Sequence, residues 1–376
     1  MSILLGIEIA GEAVRLVVVD RQAKVVGRRE EPLVTPAIRW WETHPEERHR
    51  ATIGLISESV ADGLFRPAQV AAIGITAVPA LSLLDADLDP IPPRDLPWGD
   101  LDPATFEGRP WSALAALFEE NSRAMTRIGS VLDLVGFLRF RLAGALATQV
   151  DFAWQGGHIV SPKNLASWSA GSLENIGILP SHVPPIFPAT QRISVVGEKT
   201  IEKTGLRRGT WIVGGGDPMN TRILFAAEPT IGRVVAMVDG DRVTLWESIE
   251  RPIEWDEGVI PTAIDGVFFR RGGELGLDAV RDGSLPDGAV LDWPADEDPD
   301  LDGVPEGQLV ACDAGAASTG TGIIAGLGLG WWRDPRPIWR KRRPARPLSA
   351  WREEQASGLA PESTESSDEA SEAADV

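Results

Sequence analysis

Runs of apolar residues at the start of the chain predict three short β-strands. Residues 3–9 and 13–20 are rich in aliphatic and β-branched side chains, and Gly11 with Glu12 forms a turn signal between them. A second turn signal at residues 20–23 precedes a third short strand over 24–28. The chain is therefore predicted to open with a meander of three strands.

Further along the chain, helical and strand patterns alternate, which is typical of an α/β protein. Apolar spacing predicts helices over 44–64, 111–118, 129–142, 198–204 and 219–227. Apolar runs predict strands over 70–76, 81–85, 194–197 and 210–213, and a hairpin joining 233–238 to 242–247 across Asp239-Gly240-Asp241. Residues 89–110 and 278–306 are rich in Asp and Pro and are predicted to be loops, whereas the Ala- and Gly-rich stretch 309–329 is predicted to be a packed helix.

Length and charge narrow the class of protein. A chain of 376 residues with 43% apolar residues is long enough for two domains with real cores. The net charge of −19 argues against a nucleic-acid partner and against an anionic membrane surface. The single cysteine, Cys312, excludes an intramolecular disulfide and suits a reducing compartment, and no apolar run reaches the ~18–20 residues of a membrane helix. The first residues lack the pattern of a signal peptide, so we expect a cytoplasmic protein.

The C-terminal part of the sequence changes composition twice. Residues 333–346 are basic, and residues 353–376 are acidic, Ser-rich and nearly free of large apolar side chains. The last segment cannot bury enough apolar surface to offset its ordering entropy and is predicted to be disordered. These two segments leave open a role as an interaction protein.

Asp217 is the strongest candidate for chemistry. The predicted strand 210–213 runs into the turn Gly214-Gly215-Gly216-Asp217, and a predicted helix follows. An Asp placed after a glycine turn can be aimed into a cleft, where it can accept a proton. The alternative is that Asp217 caps the following helix ahead of Pro218, and the two roles are compatible.

Other polar and aromatic residues carry weaker signals. Trp98 and Asp100 lie in the Pro-rich loop and could stack on and hydrogen-bond a polyol, or Trp98 could simply be a buried anchor of that loop. Asp151 is interpreted as a cap at the end of a loop, and Cys312 as a buried structural thiol. The four His residues lack ligand-like spacing, which argues against a zinc site.

Seven segments, taken in order, resemble the FGGY carbohydrate kinases, which include xylulokinase and glycerol kinase. The best match is Gly197 to Asp217, with Thr204-Gly205-Leu206, Gly209-Thr210 and the Gly-Gly-Gly-Asp turn. The other six segments are 5–20, 70–85, 91–100 with its Trp98-Gly99-Asp100, 138–151, 168–180 and 309–330. The resemblance spans residues 3–330.

This resemblance implies an actin-like ATPase fold. Two ribonuclease-H-like α/β domains would face a cleft, with an N-terminal domain over 1–212, a truncated C-terminal domain over 213–332 and a tail over 333–376. The implied activity is phosphorylation of a sugar or polyol hydroxyl with ATP and Mg²⁺, and a homodimer is compatible with it.

The resemblance also implies roles for individual residues. Asp217 would be the general base, and Glu8 would hold the metal through water. Gly11, Arg15 and Gly240 would line the nucleotide phosphates. Trp98 and Asp100 would contact the sugar.

Four departures from the family pattern favour an alternative function. The first phosphate loop carries Glu8 and lacks the usual hydroxyls over 10–13, and the second carries Asp241 beside Gly240. Residues 78–80 lack polar side chains, and the region from 266 to 309 is shorter than in the family. The alternative is a catalytically impaired, sugar-binding or regulatory protein on the same scaffold.

Overall fold

The computed structural model of the protein covers most of the chain up to residue 350. The residues that the structure describes are 2–35, 44–78, 80–92, 95–102, 105, 110–155, 160–161, 164–227, 230–239, 242–250, 252, 259–262, 267–286, 289–293, 304, 309–312, 316–332, 338 and 346–350.

The β-strands are numbered in chain order. They are β1 (Ile3–Ile9), β2 (Ala13–Val19), β3 (Val25–Pro32), β4 (Val70–Ala77), β5 (Leu81–Leu84), β6 (Pro90–Ile91), β7 (Ser130–Asp133), β8 (Thr148–Gln149), β9 (Val160–Ser161), β10 (Asn164–Trp168), β11 (Ile186–Phe187), β12 (Arg192–Val195), β13 (Trp211–Val213), β14 (Val234–Asp239), β15 (Arg242–Glu250), β16 (Val259–Pro261), β17 (Val267–Gly276), β18 (Val290–Trp293), β19 (Leu309–Cys312) and β20 (Arg346–Pro347).

The α-helices are α1 (Pro45–Ala61), α2 (Pro110–Glu120), α3 (Leu134–Ala143), α4 (Val150–Gln155), α5 (Ala170–Asn175), α6 (Glu198–Thr204), α7 (Pro218–Ala226), α8 (Leu277–Arg281) and α9 (Ala316–Gly328). Short 3₁₀ turns occur at Pro67–Gln69, Ser122–Arg127 and Pro180–His182. Within the described ranges, no helix combines the length and the apolar character needed to cross a bilayer.

Two large sheets share one strand order. In the first sheet the order is β12-β13-β4-β1-β2-β3; β1, β2 and β3 pair antiparallel, while β4 and β13 run parallel to β1. In the second sheet the order is β16-β17-β15-β14-β18-β19-β20. Here β14, β15 and β17 pair antiparallel, while β18 and β19 run parallel to β14. Each sheet is therefore an antiparallel meander extended by two parallel strands.

Helices cover both faces of the first sheet. Helix α1 packs on β2 and β3 and helix α3 packs on β4, whereas helix α9 packs on β1, β2 and β4 from the opposite face. Because both faces are covered, β1 and β4 are buried along their whole length. Helices α7 and α9 also pack on each other and share a core with strands of both sheets, so they lie between the two sheets.

Helix α9 approaches the first sheet through small side chains. Its sequence is AASTGTGIIAGLG, and its first eleven residues are all buried. A Cβ atom added at Gly6 of β1 would overlap the carbonyl oxygen of Ser318. The contact between strand and helix therefore depends on a glycine in the strand.

The structure confirms much of the local pattern. It contains the opening meander, the strand pair over 70–84 and the hairpin of β14 and β15, in which Asp239 pairs with Arg242. Helix α6 ends at Gly205, which adopts a left-handed φ of +70°.

Three predicted segments are wrong. Residues 278–281 and 290–293, predicted as part of a loop, belong to α8 and β18, and the buried Val280 and Leu291 explain why these short elements are ordered. Residues 130–133, predicted as helical, form β7, because Asp133 caps α3 and the helix starts only after it. Residues 309–312 form β19 rather than the start of a helix, because they pair with β18.

Candidate active site

Three parallel strands of the first sheet end at one edge. Glu8 of β1 pairs in register with Thr76 of β4, and Thr76 forms a parallel bridge with Gly216 beyond the end of β13. Since neighbouring strands lie roughly 4.8 Å apart, Glu8 and Gly216 are separated by about 10 Å across this edge. The carboxyl ends of parallel strands are the usual location of ligand sites in α/β sheets.

The glycine turn after β13 has a conformation that only glycine accommodates. Gly215 has a φ of +91°, and a Cβ atom added there would overlap the carbonyl oxygen of Ile75 in β4. The three glycines therefore let the chain cross directly over β4 before α7 begins.

The backbone of this turn is held on several sides by hydrogen bonds to residues of other elements. The Gly214 and Gly215 N–H groups donate to the carbonyl oxygens of Gln191 and Ala189, at 2.9 and 2.8 Å. The Gly215 carbonyl accepts from the Gln149 side chain, and the Gly216 carbonyl accepts from the Thr76 hydroxyl at 2.5 Å. These contacts fix the position from which Asp217 projects.

Asp217 caps helix α7 and stands partly exposed at the helix start. Its Oδ1 accepts from the N–H groups of Met219 at 2.9 Å and Asn220 at 3.4 Å. The surrounding protein removes water from the carboxyl group and raises the pKa of Asp217 to about 6, while the two N–H donors oppose that rise. Such a group is ionised at neutral pH and can still accept a proton.

Asp151, at the start of α4, lies directly beneath this turn. Its side chain is buried, and its Oδ2 accepts from the Asp217 N–H at 2.5 Å, while its Oδ1 accepts from the Phe152 N–H at 3.0 Å. Burial raises the pKa of Asp151 to about 7, and the negative charge of Asp217 contributes to that rise. The two carboxyl groups therefore titrate as a pair.

A buried polar network supports the floor of the site. The Asp133 carboxylate accepts from the backbone N–H groups of Gly136 and Gln149. The Arg139 guanidinium donates to the Gln149 side chain, whose amide in turn donates to the turn at Gly215. All three side chains are buried, so this network transmits the position of α3 and β7 to the glycine turn.

A small open pocket joins these groups. Its volume, including the open mouth, is about 260 Å³. The described residues that line it are apolar, amide-bearing or acidic, and none of them is Lys, Arg or His. They are Ala77, Val78, Asp133, Leu134, Val135, Gln149, Asp151, Phe152, Gln155, Gly216 and Asp217.

Glu8 lies on the same sheet edge, facing the start of α9. It is buried, its pKa is raised by that burial, and the positive charges of Arg15 and Arg222 and the Ser318 N–H oppose the rise. Arg15 approaches Glu8 at 3.6 Å and also pairs with Glu12 at 2.8 Å and Glu30 at 3.1 Å. The charge of Arg15 is thus compensated by carboxylates of the protein itself.

Solved structures share this arrangement of sheets and helices. The chain superposes with a TM-score of 0.70 on a ligand-bound xylulose kinase from Lactobacillus acidophilus, at 14% identity, covering 92% of this chain and 93% of that chain. A glycerol kinase from Plasmodium falciparum, with ADP, gives the same TM-score at 12% identity and 96% and 97% coverage.

A gluconate kinase from Lactobacillus acidophilus also superposes with a TM-score of 0.70, at 13% identity, covering 92% of each chain. The chain has the fold of a sugar kinase. This fold is α/β, with the two-domain architecture of the actin-like ATPases. No protein-family model matches the chain, and no curated protein sequence matches it.

Within the sugar-kinase fold, the site residues predicted from the sequence do not all lie together. Asp217 lines the pocket, while Glu8 lies about 10 Å from the glycine turn, as the strand register shows. Trp98 is buried in the hydrophobic core that packs against β1 and β4, and Asp100 is exposed. Neither is among the pocket-lining residues described.

The structure describes one of the two glycines that the sequence predicts to bind phosphate. Gly11 is in the turn between β1 and β2, and its carbonyl oxygen accepts from the buried Arg48 at 3.5 Å. Gly240, which follows β14 in the sequence, lies outside the described residues. Across the residues that the structure describes, no group of three or more His, Cys, Asp or Glu side chains could hold a metal ion by itself.

Several pocket residues could not be predicted from the sequence. Asp151 is predicted only as a cap, whereas in the structure it contacts the glycine turn and lines the pocket. Gln149 and Gln155 are not predicted as site residues. The one signal in the sequence is that Gln149 and Asp151 flank the start of a short helix, in a segment that resembles the kinases. No local pattern connects them to Asp217, which lies 66 residues after Asp151.

Proposed function

We propose that this protein transfers the γ-phosphoryl group of ATP to a hydroxyl of a small sugar or polyol, with Mg²⁺. The observation that carries the proposal is the position of Asp217. Its carboxyl lines a small pocket at the carboxyl edge of the first sheet, on a turn held in one conformation, in a chain that has the sugar-kinase fold.

The proposed chemistry assigns one proton and one phosphoryl group. As the acceptor oxygen bonds to the γ-phosphorus and the bond from that phosphorus to the bridging oxygen breaks, the hydroxyl proton passes to Asp217 and ADP leaves. A carboxylate with a pKa of about 6 is ionised before the reaction at neutral pH. It is also more basic than an ordinary Asp, which favours uptake of the proton.

The pocket chemistry favours an uncharged acceptor. Three carboxyl groups and two amides face or underlie it, and the described lining contains no cationic side chain that could bind a carboxylate or phosphate. Hydroxyl groups can donate to Asp217 and to the amide oxygens, while Val78, Val135 and Phe152 provide surface for the C–H face of a sugar.

Glu8 fits a hydrated metal ion. It is a buried carboxylate whose pKa is raised by burial, so a nearby divalent cation would stabilise its ionised form. Mg²⁺ usually keeps several waters and needs only one or two protein carboxylates, which suits the single Glu8. ATP supplies the phosphoryl group when bound, and the N–H groups of the Gly11 turn would face its phosphates. Gly240 remains a proposed phosphate-binding residue.

Arg15 fits the nucleotide less well than the sequence suggests. Its guanidinium is engaged by Glu8, Glu12 and Glu30, so a phosphate would have to compete with three carboxylates for it. We therefore propose that Arg15 orients Glu8, and that phosphate binding relies on backbone N–H groups and the metal ion.

The test measures ADP release with ATP, Mg²⁺ and a panel of neutral acceptors. Each neutral sugar is compared with the aldonate that has the same carbon skeleton. Pentoses, hexoses and their polyols are compared with xylonate and gluconate. We expect turnover with at least one neutral acceptor. For the matched aldonate, kcat/KM should be lower by about 100-fold or more, because its carboxylate would be placed beside the acidic groups of the pocket. Asp217→Asn, which retains a capping oxygen, should lose at least about 100-fold in kcat, the usual contribution of a general base.

The matched control is Asp278→Asn. Asp278 is an exposed aspartate in the first turn of α8, a helix whose buried Val280 belongs to a core cluster that contains no pocket-lining residue. This change should leave kcat unaltered. Stabilisation by a sugar without any ADP release would overturn the kinase proposal in favour of a binding or regulatory protein. Turnover that survives in Asp217→Asn would overturn the role of Asp217.

A further inference from the structure

We propose that Asp151 is a positioning residue that holds the backbone of Asp217 and sets how strongly the Asp217 carboxylate attracts a proton. The inference rests on the proposed function, because it concerns the proposed base. It goes beyond that function by assigning a second acid to the site. This acid acts through Asp217 and needs no contact with the substrate.

The geometry places Asp151 against the backbone of the base. Its Oδ2 lies 2.5 Å from the Asp217 nitrogen, and the same oxygen would be the nearest atom to a Cβ atom added at Gly216, at 3.3 Å. Only 1% of Asp151 is exposed to solvent. The contact therefore fixes the peptide plane between Gly216 and Asp217, from which the catalytic side chain projects.

A purely structural acceptor at this position would not need to be an acid. An Asn side chain offers one oxygen to the same N–H and avoids the free-energy cost of burying a carboxylate. The carboxylate adds a charge beside Asp217, in surroundings where water screens it poorly. Once Asp151 ionises, which its pKa of about 7 places near neutral pH, that charge favours the protonated form of Asp217. The protonated form is the one that results when a hydroxyl gives up its proton.

Charged groups face Asp151 from each neighbouring element. Asp217 of the turn and Asp133 of β7 both disfavour its ionisation, whereas Arg139 of α3 lies within electrostatic range of both Asp133 and Asp151. Arg139 is itself buried, and it donates to Gln149 rather than to either acid in the contacts described. The Asp151–Asp217 pair is thus expected to lose its two protons in separate steps.

The experiment is a carboxyl ¹³C NMR titration of the full chain from about pH 4 to pH 9, a range that spans both titrations and needs no turnover. The Asp217 resonance is assigned as the one missing in Asp217→Asn. In the native chain we expect two inflections in its titration curve, near pH 6 and pH 7, because it senses both groups. In Asp151→Asn we expect a single inflection, with the step near pH 7 lost.

Two further variants keep the test sound. In Asp217→Asn, which retains the helix cap, the pKa of Asp151 should fall below its native value of about 7, because coupling between two sites is reciprocal. Asp278→Asn should leave the Asp217 curve unchanged. An Asp217 curve that keeps both inflections in Asp151→Asn, or an Asp151 pKa that does not move in Asp217→Asn, would overturn the proposal.

Stability provides a second readout with a definite sign. The pKa of Asp151 is raised in the folded state, from about 3.8 in the unfolded chain to about 7, so its ionisation destabilises the fold as the pH rises through this window. Urea unfolding should show a smaller loss of free energy between about pH 5 and pH 8 in Asp151→Asn than in the native chain. Asp151→Ala, which removes the acceptor as well, should be less stable than Asp151→Asn at both pH values. Equal destabilisation of the two variants at the higher pH would contradict this.

The outcomes for the inference and for the function can be separated. If no sugar is phosphorylated but the titration follows the expected pattern, the positioning role stands and the kinase proposal fails. If turnover is found, the acidic limb of kcat/KM should move in Asp151→Asn, and an unmoved limb would contradict the positioning role alone.

Discussion

The proposed function places two demands on Asp217 that could have conflicted. Capping α7 requires an acceptor aimed back at the Met219 and Asn220 N–H groups, whereas accepting a substrate proton requires an oxygen aimed at the pocket. Only Oδ1 serves the cap in the contacts described, which leaves Oδ2 for the pocket. A carboxylate can do both because it has two oxygens, and Ser or Thr at this position could only cap.

The glycine turn allows a sharp test at the level of one residue. Gly215 and Gly209 have nearly equal φ angles of +91° and +92°, but a Cβ on Gly209 would meet no atom within 4 Å, whereas one on Gly215 would overlap the Ile75 carbonyl. Gly209→Ala should therefore lose about 1–2 kcal/mol of unfolding free energy from φ alone. Gly215→Ala should lose a further ~1–3 kcal/mol from overlap.

Urea unfolding of the two variants at one pH measures this difference directly. Because the comparison removes the common cost of a left-handed alanine, it isolates the contact between the turn and β4. Equal losses in the two variants would show that the turn can move away from Ile75, and the argument that Asp217 is held in one position would fail.

At this scale, the sequence could single out Asp217 as a candidate base but could not single out its neighbours. Asp217 follows a glycine turn, which is a local signal, and the resemblance to the kinases adds to it. Asp151 acquires its role only through a hydrogen bond to a residue 66 positions away, and Trp98 becomes a buried anchor only through the packing of the first core. Such roles depend on tertiary contacts, which leave no trace in a short window of sequence.

At the scale of elements, helices and strands with long apolar patterns could be predicted from the sequence, whereas short ones could not. The opening strands and helices α1 and α6 contain enough apolar positions, turns and caps to be predicted within a few residues. Helix α8 has five residues and strand β18 has four, in an acidic segment, so neither offers a full period of apolar positions. Their order comes from burial of Val280, Val290 and Leu291 rather than from local propensity.

The packing of α9 on β1 predicts a loss of stability in one glycine variant, and a control variant in another helix should instead gain stability. In Gly6→Ala, the new methyl group would overlap the Ser318 carbonyl of α9, and the unfolding free energy should fall by about 1–3 kcal/mol. In Gly54→Ala, within α1, no atom lies within 4 Å of the new methyl group. That change should raise the unfolding free energy by about 0.5–1 kcal/mol, because alanine favours the helix.

Thermal or urea unfolding gives both signs in one series. A Gly6→Ala variant as stable as the native chain would mean that α9 can shift outward from the sheet without cost. The close approach of helix and strand would then not be a constraint on the sequence.

For the whole molecule, an ion pair links the central helices to the second sheet. The Arg222 guanidinium of α7 donates to the Asp292 carboxylate of β18 at 2.8 and 2.9 Å, and the Asp292 side chain is only 2% exposed. Arg222→Ala would remove both of these hydrogen bonds from a buried carboxylate and should cost about 3 kcal/mol. The matched control, Arg208→Ala, removes a pair with Glu198 in which both side chains are largely exposed, and should cost less than about 1 kcal/mol.

The same measurement reports whether the two sheets unfold together. If they form one cooperative unit, Arg222→Ala should lower a single unfolding transition seen by circular dichroism and by tryptophan fluorescence. Two transitions in the variant would indicate that this ion pair couples the sheets. A cost no larger than that of Arg208→Ala would contradict its importance.

The course of α9 has a consequence for synthesis of the chain. The face of the first sheet that bears Leu4, Val17 and Val19 is covered in part by residues 316–328, which are made long after the opening meander and after β4 at residues 70–77. A nascent chain that ends near residue 212 therefore carries an apolar sheet face with no helix α9 to cover it. Protection of that face by a chaperone, or delay of folding until α9 emerges from the ribosome, is the price of closing an early sheet with a late helix.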